Sequence, residues 1–139
     1  MTTYYWCAWL RNKAMDHAFS VVAWTPPATL YVGLATSVAD TGEVTGEPSG
    51  QNYARVAFTN NVQNFPAASL GAKFVNINII FPPATGSWGT PTVAFISDQA
   101  TGNTNTLLWG TISNSRAIDA GDTVYFAPLA DINIALAGV

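Results

Sequence analysis

Hydrophobic and polar positions follow two rhythms along this chain, and the change falls at Pro26-Pro27. From about Thr3 to Val22 there is neither proline nor glycine, and Leu10, Ala14 and Ala18 recur on one row with Met15 and Phe19 beside it, the spacing of a helix. Thr2 or Thr3 stands where an N-cap is expected. The aromatics Tyr4, Tyr5, Trp6 and Trp9 spread around the first turns instead of forming one stripe. A helix apolar around most of its circumference needs two packing surfaces, its own domain and a neighbouring subunit. The double proline cannot continue that helix, and after it Leu30, Val32 and Leu34 alternate with Tyr31, Gly33 and Ala35.

The strand rhythm then persists, predicting strands over 29–36, 53–59, 73–81, 92–97, 106–113, 122–127 and 131–136, with shorter pairing at 62–65 and 116–118. Val75, Ile77, Ile79 and Phe81 alternate with Phe74, Asn76, Asn78 and Ile80, and Ile132, Ile134 and Leu136 repeat the device. Turn chemistry separates the strands at Pro48-Ser49-Gly50, Thr85-Gly86-Ser87, Asp98 to Asn105 and Ala120-Gly121-Asp122. The polar loop from Ser37 to Asn52, with Asp40, Glu43 and Glu47, is expected to be solvated and mobile. The fold class expected is mainly β: an antiparallel β-sandwich, jelly-roll-like, with one N-terminal α-helix. Residues 1–25 form the helix and connector and residues 26–139 the sandwich, within a single domain. Pro-Pro-Ala-Thr occurs at 26–29 and again at 82–85 with different sequels, which reads as shared turn chemistry and not as duplication.

Composition adds a requirement for cover. Hydrophobic residues make up 49% and charged residues only 9%, against about 25% charged in an ordinary soluble domain. Such a surface is made of Thr, Asn, Ser and Gly, or is covered by a partner. The five tryptophans and five tyrosines favour the partner, because amphipathic rings are enriched where proteins bury surface against each other. The net charge of −3 and the scattered Arg11, Lys13, Arg55, Lys73 and Arg116 offer no basic stripe for a phosphate backbone, so direct nucleic-acid binding is not expected. No run approaches the length of a membrane span. Arg11, Lys13, Asp16 and His17 interrupt the apolar N-terminal stretch and no basic region precedes it, so synthesis and folding in the cytoplasm are expected.

Chemistry is sparse. His17 and Cys7 lie ten residues apart on the predicted helix, roughly 15 Å, too far for a dyad. Cys7 has no disulfide partner and reads as a small core hydrophobe. Asp40, Glu43 and Glu47 lack the spacing of a calcium loop, and Asp119 and Asp122 suit the turn at Gly121. Gly86-Ser87-Trp88-Gly89 runs into Pro91 and not into a helix, so it is a turn and not a phosphate cradle. Neither an enzyme nor a metal or other cofactor is expected. Trp109, in Leu107-Leu108-Trp109, reads as core, whereas Trp88 is the candidate surface aromatic platform for a sugar.

Several segments carry a family likeness: Pro26-Pro27 leading into Leu30-Tyr31-Val32-Gly33-Leu34, Tyr53-Ala54-Arg55-Val56, Phe81-Pro82-Pro83-Ala84-Thr85-Gly86-Ser87-Trp88-Gly89-Thr90, Leu107-Leu108-Trp109-Gly110 and Gly121-Asp122-Thr123. Over nearly its whole length the chain resembles small virion structural proteins of tailed bacteriophages, of tail-fibre-like or head-decoration-like type. The resemblance implies a non-enzymatic component of the virion, with a capsid-decorating or cement protein on the head exterior as the first expectation. The alternatives are a neck, tail, baseplate or fibre-attachment component and, from another class, a host-glycan-binding module using Trp88. Partners would be further copies of itself and other virion proteins, such as the major capsid protein or neck and tail proteins. The interface is expected at Tyr4, Tyr5, Trp6, Trp9 and Phe19.

Overall fold

The computed structural model describes residues 2–103, 105–128 and 132–135, with only the backbone of 2, 3, 133 and 135. Strand-forming Thr2-Thr3-Tyr4-Tyr5-Trp6 makes β1 (Thr2–Trp6), and helix α1 (Ala8–Ser20) follows directly. Ten more strands follow among the described residues: β2 (Thr29–Ala35), β3 (Ser37–Val38), β4 (Val44–Thr45), β5 (Val56–Thr59), β6 (Ala72–Phe74), β7 (Ile79–Ile80), β8 (Val93–Ser97), β9 (Thr106–Thr111), β10 (Tyr125–Phe126) and β11 (Ile132–Ala135). The fold is mainly β and sandwich-like with one helix, as the two rhythms predict.

A seven-stranded sheet in the order β5-β2-β8-β9-β1-β11-β6 forms the frame. Its neighbours are antiparallel except β1 and β11, which run parallel with Thr3 opposite Asn133. Period-two alternation sends Leu30, Val32 and Leu34 of β2 and Ala94 and Ile96 of β8 into the main core. There they meet the second layer, contributed by Ile79, Phe81, Trp88, Ile118 and Phe126 around the β7–β10 pair. The opposite face carries a smaller core in which Ala35, Val93 and Phe95 are covered by Cys7 and by Val38 and Val44 of the β3–β4 hairpin. Gly33 is required here, because a Cβ at that position would stand 2.3 Å from Cζ of the fully buried Phe95.

Several expected boundaries move. The helix starts at Ala8 and not near Thr3, since Thr2–Trp6 is extended and hydrogen-bonded between β9 and β11. Cys7 takes the N-cap position without a side-chain cap, so neither Thr2 nor Thr3 caps the helix. With β1 inside the large sheet, residue 25 does not separate a helical segment from the sandwich. The strand expected over 73–81 divides into β6 and β7, which belong to different sheets, although Val75, Ile79 and Phe81 still point inward and Asn76, Asn78 and Ile80 outward. Residues 62–65 form a turn closed by the Phe65 amide donating to Asn61 O, while Ile118 makes the short pairing expected near 116–118, with Gly89. Of the strand expected over 131–136, residues 131 and 136 lie outside the described residues.

Candidate functional site

Helix α1 is rooted at its first turn and free at its last. The Cys7 amide donates to Leu107 O at 2.8 Å, and the Ala8 amide to Asp40 O at 2.7 Å. Arg11 donates to Trp6 O at 2.6 Å and grips both Asp40 carboxylate oxygens at 2.7 and 2.6 Å. The Arg11 bond lowers the Asp40 pKa below its ordinary value. Burial pushes the Cys7 thiol up to about 11, so it stays protonated and inert at neutral pH. Beyond this root only Leu10 of the helix is buried, and every residue from Met15 to Ala23 is exposed.

The exposed end is apolar and strained. Phe19 is 85% and Val21 87% accessible, with Met15 and Val22 about half so. Val21 adopts the left-handed conformation, φ 54°, and the Val22 amide closes the end by donating to Asp16 O at 3.1 Å. That cap position normally goes to glycine, because a β-branched side chain there clashes with its own backbone. The sequence therefore places an apolar side chain at the tip where backbone energetics alone select none.

Beside the helix root lies an apolar groove of about 480 Å³, walled by Trp6, Leu10, Trp24, Leu30, Leu108 and Ile134, with Val62 and Lys73 also lining it. Trp24 returns after the exposed arm of residues 15–23 to meet Trp9 edge-on, ring centres 6.0 Å apart. The Trp6 indole N–H is buried with no acceptor among the described residues. The Lys73 ammonium donates to Pro66 O at 2.9 Å and Phe65 O at 3.3 Å, which leaves its third N–H uncommitted to these carbonyls.

The aromatics singled out as an interface thus separate. Tyr4 is core, 2% accessible, and Tyr5 points to the opposite face, half exposed and 5.4 Å from the Trp109 ring centre. Trp6 and Trp9 are partly buried against the main core, and Phe19 alone is strongly exposed. They scatter because β1 alternates its side chains, so the multidirectional helix face that motivated the grouping does not exist.

Trp88 is corrected as well. It is 6% accessible, donates from Nε1 to Gln51 O at 2.8 Å and stands edge-on to Tyr53 at 5.2 Å. A ring enclosed in this way offers no face to a sugar.

The loop expected to be mobile contributes Glu47 to a densely bonded polar cluster. Arg55, its side chain 2% accessible, donates from Nε and Nη2 to the two Glu47 carboxylate oxygens at 2.7 and 2.8 Å. It also donates to Gln99 O at 2.8 Å and to Gly102 O, and its guanidinium lies 4.8 Å from the Phe95 ring centre. The Tyr53 hydroxyl donates to Glu47 at 2.7 Å and accepts the Leu34 amide at 3.0 Å. Burial is the main reason that its pKa rises, with the Glu47 bond adding to it. This cluster fastens two loops to the sheet and exposes no reactive group. Burial also raises the Asp98 pKa, and one Asp98 oxygen has no partner among the described residues.

His17 bonds Val22 O at the helix end, 3.3 Å away, and Cys7 lies buried at the helix root. Among the described residues, no three His, Cys, Asp or Glu side chains gather as a metal site, and no helix is long and apolar enough to cross a membrane. No curated protein matches the chain in sequence. A family model described as podophage GP4 fiber I protein gp80 matches residues 5–132. That span runs from β1 into β11 and takes in both the arm and the Arg55 cluster. The chain therefore belongs to the podophage GP4 fiber I protein gp80 family, a family of phage virion structural proteins.

Proposed function

We propose that this chain is a non-enzymatic component of a phage fibre, or of the joint that fixes a fibre to the virion, in preference to a decoration of the head exterior. The match over residues 5–132 carries this reading, because the matched description names a fibre protein. The site agrees with it. Apolar side chains on an arm, and a groove lined by apolar ones, suit permanent association in which each buried square ångström contributes about 25 cal/mol. Contacts of this kind repeated around a symmetric assembly add through effective concentration. The buried polar groups around Arg55 hold the domain's own loops together.

Counting the protein in purified virions tests the placement. A fibre or attachment role predicts on the order of ten copies per particle, set by cyclic symmetry. Several hundred copies, together with antibody labelling over the head, would overturn it and restore the cement-protein reading.

A further inference from the structure

The geometry points to a head-to-tail contact between copies of this chain, in which the exposed end of α1 in one copy enters the apolar groove beside the helix root of the next. The inference supplies the partner for the structural role above and takes its biological meaning from that role. Three complementarities support it.

The first is shape and polarity. Met15 and Phe19 lie four residues apart on one helix row, and Val21 and Val22 continue the apolar end. An apolar cavity of about 150 Å³ holds a benzene ring, so a groove of about 480 Å³ has room for the Phe19 ring and its neighbours. The helix cannot fill its own groove. Leu10 already forms the wall, and Phe19 stands nine residues further along, roughly 13 Å away on a straight axis.

The second is hydrogen bonding. The last carbonyls of a helix have no intrahelical partners and carry partial negative charge. The groove offers what they lack in the Lys73 ammonium, whose third N–H is not committed to the Phe65 and Pro66 carbonyls. Asp16 adds a carboxylate near the helix end, and neither of the chain's two described ion pairs uses it.

The third is the strained cap. Left-handed Val21 costs backbone energy that glycine would avoid, and in the isolated chain its side chain touches little, at 87% accessibility. An apolar tip in that conformation gains its compensation only where something covers it. Because knob and groove are different surfaces of one chain, the contact is heterologous and propagates until a ring closes.

The test uses the purified full chain. Light scattering should show mass rising with concentration up to tens of micromolar, and Phe19→Asp should weaken association by about tenfold or more. Circular dichroism should be unchanged, since Phe19 is outside the core. Cross-linking identifies the surfaces: Phe19→Cys mixed with Val62→Cys under oxidation should give a mixed disulfide dimer in excess of either like pair. The buried, protonated Cys7 stays silent. A wild-type chain that stays monomeric at tens of micromolar overturns the inference, as does undiminished association of Phe19→Asp or cross-linking confined to like pairs. None of these outcomes depends on where the protein sits in the virion, so the two readings fail separately.

Discussion

Between Glu47 and Arg55 the chain is polar and held fast, whereas between Met15 and Ala23 it is largely apolar and lies open to solvent. In the first region one arginine, almost wholly buried, meets a carboxylate, two carbonyls and an aromatic face, so every buried donor that it brings finds an acceptor or a ring. In the second region Phe19 and Val21 find nothing to bury against among the described residues, and a short helix with one buried residue has little to hold it in water. The contrast teaches that burial follows the availability of a partner and not hydropathy alone. The loop's partners are in the same chain, whereas for the arm we propose a second copy.

The strongest way to break the contrast is to remove the loop's partner. Arg55→Ala leaves Glu47 and the Gln99 and Gly102 carbonyls without their donor and uncovers Phe95. Breaking a buried pair from one side costs about 3–5 kcal/mol. Urea unfolding should show that loss, with the segment around Glu47 becoming open to protease.

A smaller change sharpens the arm's side of the contrast. Val21→Gly relieves the left-handed strain, worth about 1–2 kcal/mol, against a gain of unfolded-chain entropy of about 0.4–1 kcal/mol. The isolated chain should therefore become more stable by about 0.5–1 kcal/mol. Its self-association should weaken at the same time, because the tip has lost its side chain. Paired denaturation and sedimentation measurements check the two opposite signs. A variant that is less stable and associates equally well would mean that Val21 matters only within its own chain.

Most of the sheet was legible in the sequence because strand alternation is local. Leu30, Val32 and Leu34 declare their inward face without reference to any other segment, and so do Val75, Ile79 and Phe81. The N-terminal boundary was not, since Thr2–Trp6 has strand-forming residues but runs without a break into a helical pattern, and its place in the sheet depends on β9 and the distant β11. Trp88 failed for a related reason. Glycine and serine around it mark a turn, but only the Gln51 carbonyl and the Tyr53 ring, more than thirty residues away, determine that the turn folds inward. The Glu47–Arg55 pairing had a visible signal in an acid and a base eight residues apart across a turn, which bears on whether such a loop moves. For the candidate site, aromatic richness drew attention to the N-terminal region, where Phe19 and Val21 are exposed and Tyr4 is buried in the core.

Hydrogen exchange read by mass spectrometry at low and high protein concentration reports on both regions in one experiment. Slow exchange is expected at both concentrations for the Leu34 amide, which Tyr53 binds beneath the loop. Amides from Met15 to Val22 should exchange freely when the protein is dilute and become protected as copies associate. An arm protected equally at both concentrations, or one that stays unprotected when the protein is concentrated, would contradict the claim that a second copy covers it.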